Sequence, residues 1–196
     1  AGIVPVIRHG DRSVPRQTVG VNTDDAVAQT DPFIDQSARD RVTVSGADAA
    51  SYLQSQIAQE IRDLAIGAAR WTLVLDPSGK VDALARIQRT ADDVFVLDTD
   101  AGYGESLKER IDRFKIRVDA ETRLDAAASP SPSLEHELAR IAAGWPRMGT
   151  EIEPGSTIPA TTGVVMLAVD FQKGCYPGQE LVERMDSRGA DAPRSL

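Results

Sequence analysis

Polar and apolar positions alternate along Arg41-Val42-Thr43-Val44, and the β-branched residues there suit a strand. Ser45-Gly46-Ala47-Asp48 follows with helix-start chemistry. Leu53, Ile57, Ile61 and Leu64 then recur at spacings of four, four and three, which puts them on one helical face. Trp71 to Leu75 is a second strand. It runs into Asp76-Pro77-Ser78-Gly79, a turn in which Pro presets one φ angle and Gly permits a positive one. Val81 to Ile87 predicts a third strand, Ala91-Asp92-Asp93 a turn, and Val94 to Leu97 a fourth strand. Glu105 to Phe114 carries Leu107, Ile111 and Phe114 at helical spacing, and Lys115 to Val118 closes the set as a strand. The order β-α-β-β-β-α-β, with its tight hairpins, predicts an α+β fold: an antiparallel sheet with packed helices.

Other stretches lack this periodicity. Residues 10–38 are polar and carry Pro, Gly, Asn and Asp, so 1–38 is expected to be an extended arm or loop. Residues 39–124 form the first lobe. The Ser-Pro-rich run 125–133 reads as a linker, and 134–196 as a second lobe. Within that lobe Leu134 to Ala143 predicts a helix stopped by Gly144-Trp145-Pro146. An apolar run, Val164 to Val169, leads into a glycine-rich segment.

Composition narrows the function classes. Of 196 residues only 5% are aromatic, so the core must be built from Ala, Val, Leu and Ile. A formal charge of −8 repels phosphate backbones and disfavours general nucleic-acid binding. A single cysteine excludes an intramolecular disulfide and suits a reducing compartment, so a cytoplasmic location is expected. No run approaches the ~20 apolar residues of a membrane-spanning helix, so no membrane partner is expected. The apolar start, Ala1 to Ile7, lacks the basic flank and cleavage site of a signal peptide.

The chemistry concentrates in Lys173-Gly174-Cys175-Tyr176-Pro177-Gly178-Gln179-Glu180. Gly174 and Gly178 flank the cysteine and Pro177 stiffens the turn, so backbone can approach a ligand closely. A lysine two residues before the thiol favours thiolate. Gln179 and Glu180 add an amide and a carboxylate. These features make Cys175 a candidate for reactive chemistry; the competing reading is a small buried hydrophobe.

This octapeptide resembles the signature of the YgfZ family, relatives of the aminomethyltransferase T-protein of the glycine cleavage system. Val182, Arg184 and Gly189 continue the likeness downstream. Arg140 to Arg147 and Ile158-Pro159 continue it upstream, and Gly46, Ala50, Leu53, Gln54, Gly67 and Gly79 carry it through the first lobe. The resemblance implies a T-protein-like, folate-binding α+β fold without the T-protein's own activity; the chain is expected to lack the small C-terminal barrel that usually follows the signature in the family. The resemblance also implies an accessory role in assembly or repair of iron–sulfur enzymes. Cys175 would be the acting residue with Lys173 beside it. Tetrahydrofolate would be the cofactor, with Asp82, Tyr176, Gly178, Gln179, Glu180 and Arg184 as its binding residues. Partners would be iron–sulfur client enzymes or their assembly machinery. The chain departs from the family at Ala142, where a Glu that grips the pterin in T-proteins is common.

Two other readings compete. One is a folate-dependent aminomethyl or one-carbon transferase, against which the cysteine-bearing signature argues. The other starts from Arg8-His9-Gly10-Asp11-Arg12, which resembles the histidine phosphatase signature, with His9 as nucleophile and Arg8 and Arg12 on the phosphate. That fold needs a second histidine, and only His136 remains. Two histidines and one cysteine cannot build a structural zinc site or a four-cysteine cluster within one chain. Asp98 to Gly102 lacks the later ligands of a calcium loop. Trp71 and Trp145 could stack on a pterin, but core packing is the default for both.

Overall fold

The structure, a computed structural model, describes residues 33–188, with side chains up to 184. Its centre is a five-stranded antiparallel sheet: β1 (Arg39–Ser45), β2 (Ala69–Leu75), β3 (Val81–Ala91), β4 (Val94–Asp100) and β5 (Glu121–Asp125). Their order across the sheet is β2-β3-β4-β1-β5. Strands β2, β3 and β4 form a meander, while β1 sits between β4 and β5. The α+β architecture expected from the apolar pattern is therefore present.

Helices α1 (Ala49–Gln56) and α2 (Gly104–Asp112) pack on the sheet. They are tied to each other where the buried Tyr52 hydroxyl donates to the Ile111 carbonyl. Leu53, Leu73, Leu75, Leu84, Ile87, Phe95, Leu97, Leu107 and Ile111 are fully enclosed in this core. Burial of each such side chain stabilises the fold by about 1.5–3 kcal/mol relative to exposure.

The remaining helices are α3 (Leu134–Ala143), the single turn α4 (Val165–Ala168) and α5 (Gln179–Arg188). Ser133 caps α3 by accepting from His136 N–H, and Gly144 ends it at φ 64°. α4 lies along β2. The segment before it joins β3, where Val81 N–H donates to Thr157 O and Gly155 N–H donates to Val81 O. No helix among the described residues is long and apolar enough to cross a membrane.

Three local expectations need correction. The helix expected through Leu64 stops at Gln56, and Ile57 is extended. Ile57, Ile61 and Leu64 are buried nonetheless, in an irregular segment pinned on both sides. Ala58 N–H donates to Leu73 O on β2, and Ala58 O accepts from Asp170 N–H. The strand expected at Lys115–Val118 is absent: Arg117 has φ 56° and Ile116 is exposed. The closing strand is β5 instead, paired with β1 from Arg41↔Asp125 to Ser45↔Glu121. Finally, the end of the expected arm belongs to the core. Ile34 is buried, and the Phe33 ring lies 4.9 Å from that of Trp145. The Ser-Pro run is likewise fastened, with Ala127, Ser129 and Ser133 N–H groups donating to Asp40, Ser37 and Asp35.

Candidate functional site

The loop Lys173–Glu180 is held at both ends with the thiol between. At its start, the Lys173 ammonium donates to three backbone carbonyls: Gln54 at 2.7 Å, Ile57 at 2.6 Å and Gln59 at 3.1 Å. These oxygens lie in and just beyond the last turn of α1, where a helix leaves carbonyls without partners and carries partial negative charge. The ammonium also stands 5.2 Å from the Tyr176 ring centroid. Burial pulls the Lys173 pKa down to about 8, against the attraction of Glu60 and Asp170. All three donors of the charged amine are used on carbonyls.

At its other end the loop rests on the β2–β3 turn. Gly178 has φ 81°, and a Cβ built on it would stand 2.4 Å from Asp76 O. The turn itself is closed by Asp76, whose backbone N–H donates to Lys80 O and whose carboxylate accepts from Ser78 Oγ and Lys80 N–H. Between these anchors Cys175 is exposed. Tyr176 is half-buried, and burial raises its phenol to about 12. Its backbone N–H donates to Gln179 Oε1 at the start of α5.

Tyr176, Gly178, Gln179, Glu180 and Arg184 come together with Pro77, Ser78 and Leu181 around an open hollow of about 380 Å³. Glu180 and Arg184 pair at 3.7 Å one turn apart on α5. Asp82, on β3 just past the same turn, faces the buried Arg110 on α2 at 3.3 Å. Burial raises the Asp82 pKa, and Arg110 opposes that shift. Arg110 also donates twice to Leu75 O and once to Gln56 Oε1. It thereby joins the ends of α1 and β2 on which the loop is seated. Arg110 carries no motif that would single it out in the sequence. Its only mark is a charge on the apolar face of α2, beside Leu107 and Ile111.

Other singled-out residues take structural places. Trp71 and Trp145 pack on each other with ring centroids 4.6 Å apart. Ala142 is exposed on α3 and offers no polar group. Asp98 and Asp100 hold Arg39 and Arg86 in a buried ion cluster. His136 shares a 2.7 Å hydrogen bond with the capping Ser133 hydroxyl. Arg8, His9 and Arg12 lie outside the described residues, as does Gly189. No group of three metal-ligating side chains occurs among the described residues.

Residues 19–128, more than half of the chain, match the family model described as the GCVT N-terminal domain. The chain belongs to the GCVT N-terminal domain family. The GCVT-matched range takes in all five strands and stops before the Cys175 loop.

An uncharacterized protein of Haemophilus influenzae is 28% identical over 81% of this chain and 70% of its own length. A Pyricularia oryzae protein named iron-sulfur cluster assembly factor IBA57 homolog, mitochondrial, is 27% identical over 84% of this chain and 56% of its own. A Cronobacter sakazakii protein named tRNA-modifying protein YgfZ is 37% identical over 43% of this chain and 27% of its own. The chain thus spans about half, or less, of these two named relatives. The crystal structure of glycine cleavage system aminomethyltransferase T from Bartonella henselae superposes with TM-score 0.44 at 19% identity, covering 46% of this chain and 25% of that one.

Proposed function

We propose that this chain is a YgfZ-type accessory protein that supports assembly or repair of iron–sulfur enzymes through Cys175. The observation that carries the reading is the exposed thiol on a loop fixed at both ends. A buried cysteine would be packing; one presented at the surface by a rigid loop is available to a partner. The names of the Pyricularia and Cronobacter relatives, and the likeness of Lys173–Glu180 to the YgfZ signature, support the same reading. Partners are then iron–sulfur client enzymes or their assembly machinery. The test is complementation in a cell lacking the protein: Cys175→Ala should fold normally and leave the iron–sulfur enzyme inactive. Full rescue by that variant would end the proposal.

We assign the folate implied by the family to the hollow beside the loop. The hollow beside the loop is within the ~300–1,000 Å³ of small-molecule sites. It offers the Tyr176 ring, the Gln179 amide, the Glu180 carboxylate and the Arg184 guanidinium. Asp82, on β3 and paired with Arg110 at 3.3 Å, is the further acidic group that the resemblance names. Ala142 supplies none. Tetrahydrofolate, when bound, would supply a one-carbon carrier. Calorimetric titration with tetrahydrofolate should show saturable binding that Glu180→Ala weakens. No heat and no thermal stabilisation at high concentration would remove the folate and leave the Cys175 role standing.

A further inference from the structure

We propose that Lys173 is a positioning residue rather than a reacting one: its ammonium clips the cysteine loop onto the carboxyl end of α1, so that the place of the Cys175 thiol follows that helix. This rests on Cys175 being the acting group. The sequence suggested that Lys173 serves the thiol by its charge. The geometry spends the ammonium's donors on the backbone of Gln54, Ile57 and Gln59.

The clip joins distant parts of the fold. Gln54 closes its own loop by accepting from Ile61 N–H, and it donates to Glu60. Gln59 donates to Leu167 O on α4. Asp170 N–H donates to Ala58 O, and Gln172 N–H to Asp170 Oδ1. Residues 54–60 and 167–173 therefore form one hydrogen-bonded body with Lys173 at its centre. The charged groups that act on the ammonium are Glu60 and Asp170, which favour its charge, and Arg62, which opposes it. Hydrogen bonds from a charged donor are roughly twice as strong as neutral ones, and this single side chain makes three of them. A methionine of similar length would leave three carbonyls facing an apolar chain.

Hydrogen exchange on the whole chain separates this role from general stability. The reporting amides are Gln172 and Tyr176, both bonded within the loop. The reference amide is Val44, on β1 between β4 and β5 and fully buried. Lys173→Met should speed exchange at Gln172 and Tyr176 by about tenfold or more, as expected when a charged hydrogen-bonding group is lost, with Val44 unchanged. Lys173→Arg, which keeps the charge and its donors, should restore most of that protection. Complementation should follow the same order: wild type, then Arg, then Met. The clip is overturned if Met leaves the loop amides as protected as in wild type. Equal acceleration at Val44, or an Arg variant no better than Met, would overturn it too. If Cys175→Ala alone restores activity, the functional reading fails, while the exchange result still decides the clip.

Discussion

Gly178 and Gly79 meet backbone to backbone: a Cβ added to Gly178 would stand 2.8 Å from the Gly79 Cα. Both have positive φ, 81° and 90°, and a Cβ on Gly79 would stand 2.4 Å from the Leu181 Cβ. Two separate demands thus fall on each residue, one conformational and one steric. The glycine of the Cys175 loop and the glycine of the β2–β3 turn, far apart in sequence, are two halves of one contact.

Gly178→Ala should therefore destabilise the protein more than Gly102→Ala. Gly102 also has φ 90°, but a Cβ there would meet nothing within 4 Å. It isolates the conformational cost, about 1–2 kcal/mol for an L-residue in the left-handed region. Gly178→Ala adds a clash with backbone that cannot swing aside. Chemical denaturation of the two variants makes the comparison. Equal losses would mean that the loop is not seated on the turn.

Arg39→Met should cost about 3–5 kcal/mol, the range for removing one partner of a buried ion pair. Arg39 and Asp98 are both about 4% exposed and lie 2.8 Å apart. Arg39 also donates to Asp100 and to the Asp98 carbonyl. Without it, only Arg86 faces the enclosed carboxylate. Urea denaturation reads the loss, and a change within about 0.5 kcal/mol, the usual range for surface sites, would contradict this account of the cluster.

Asp82→Asn should leave the fold at least as stable at neutral pH. The folded-state pKa of Asp82 is raised, mainly by burial. A raised carboxyl favours the folded state while protonated, and that contribution is lost as pH rises through the folded pKa. The neutral amide avoids the loss. Relative to wild type, Asn should gain stability as pH rises from 3.8, the unperturbed value, and keep the gain at neutrality. Denaturation of both proteins at acid and neutral pH tests it. An Asn variant that loses ground as pH rises would show that Arg110 overcompensates burial. A carboxyl held in a partly buried place at a cost to stability is what a binding residue requires.

The strands were legible because each of β1 to β4 buries a row of side chains, as Val42 with Val44 and Leu73 with Leu75 do. β5 was missed because it is an edge strand of polar residues in which only Leu124 is a large apolar side chain. The spacing of Leu53, Ile57, Ile61 and Leu64 reports burial correctly and helix incorrectly. All four are enclosed, but only Leu53 lies in α1. Periodicity records which positions face the core, and an irregular segment pinned to a strand can meet the same demand. In the loop, the glycine spacing was legible because positive φ restricts the residue type. The partners of Lys173 were not, since they are backbone carbonyls up to 119 residues away and carry no side-chain signature.

The depressed Lys173 pKa gives the clip a pH signature of definite sign. Its folded value is about 8 and its ordinary value 10.5. Between these limits the unfolded chain holds the proton while the folded chain has released it, so stability rises with pH across that window. Wild type should therefore gain stability relative to Lys173→Met as pH increases above about 8. Tyr176 has the opposite tendency. Its phenol is raised from 10 to about 12, so the folded state retains that proton and loses stability as pH climbs past 10. Denaturation midpoints should accordingly be compared between pH 8 and roughly 9.5, below the ordinary tyrosine range. A difference between wild type and the Met variant that stays flat over that interval would mean that the three carbonyls hold the ammonium charged as strongly as burial expels it. A rising difference would mean that burial dominates and that the clip is held closed against a desolvation cost.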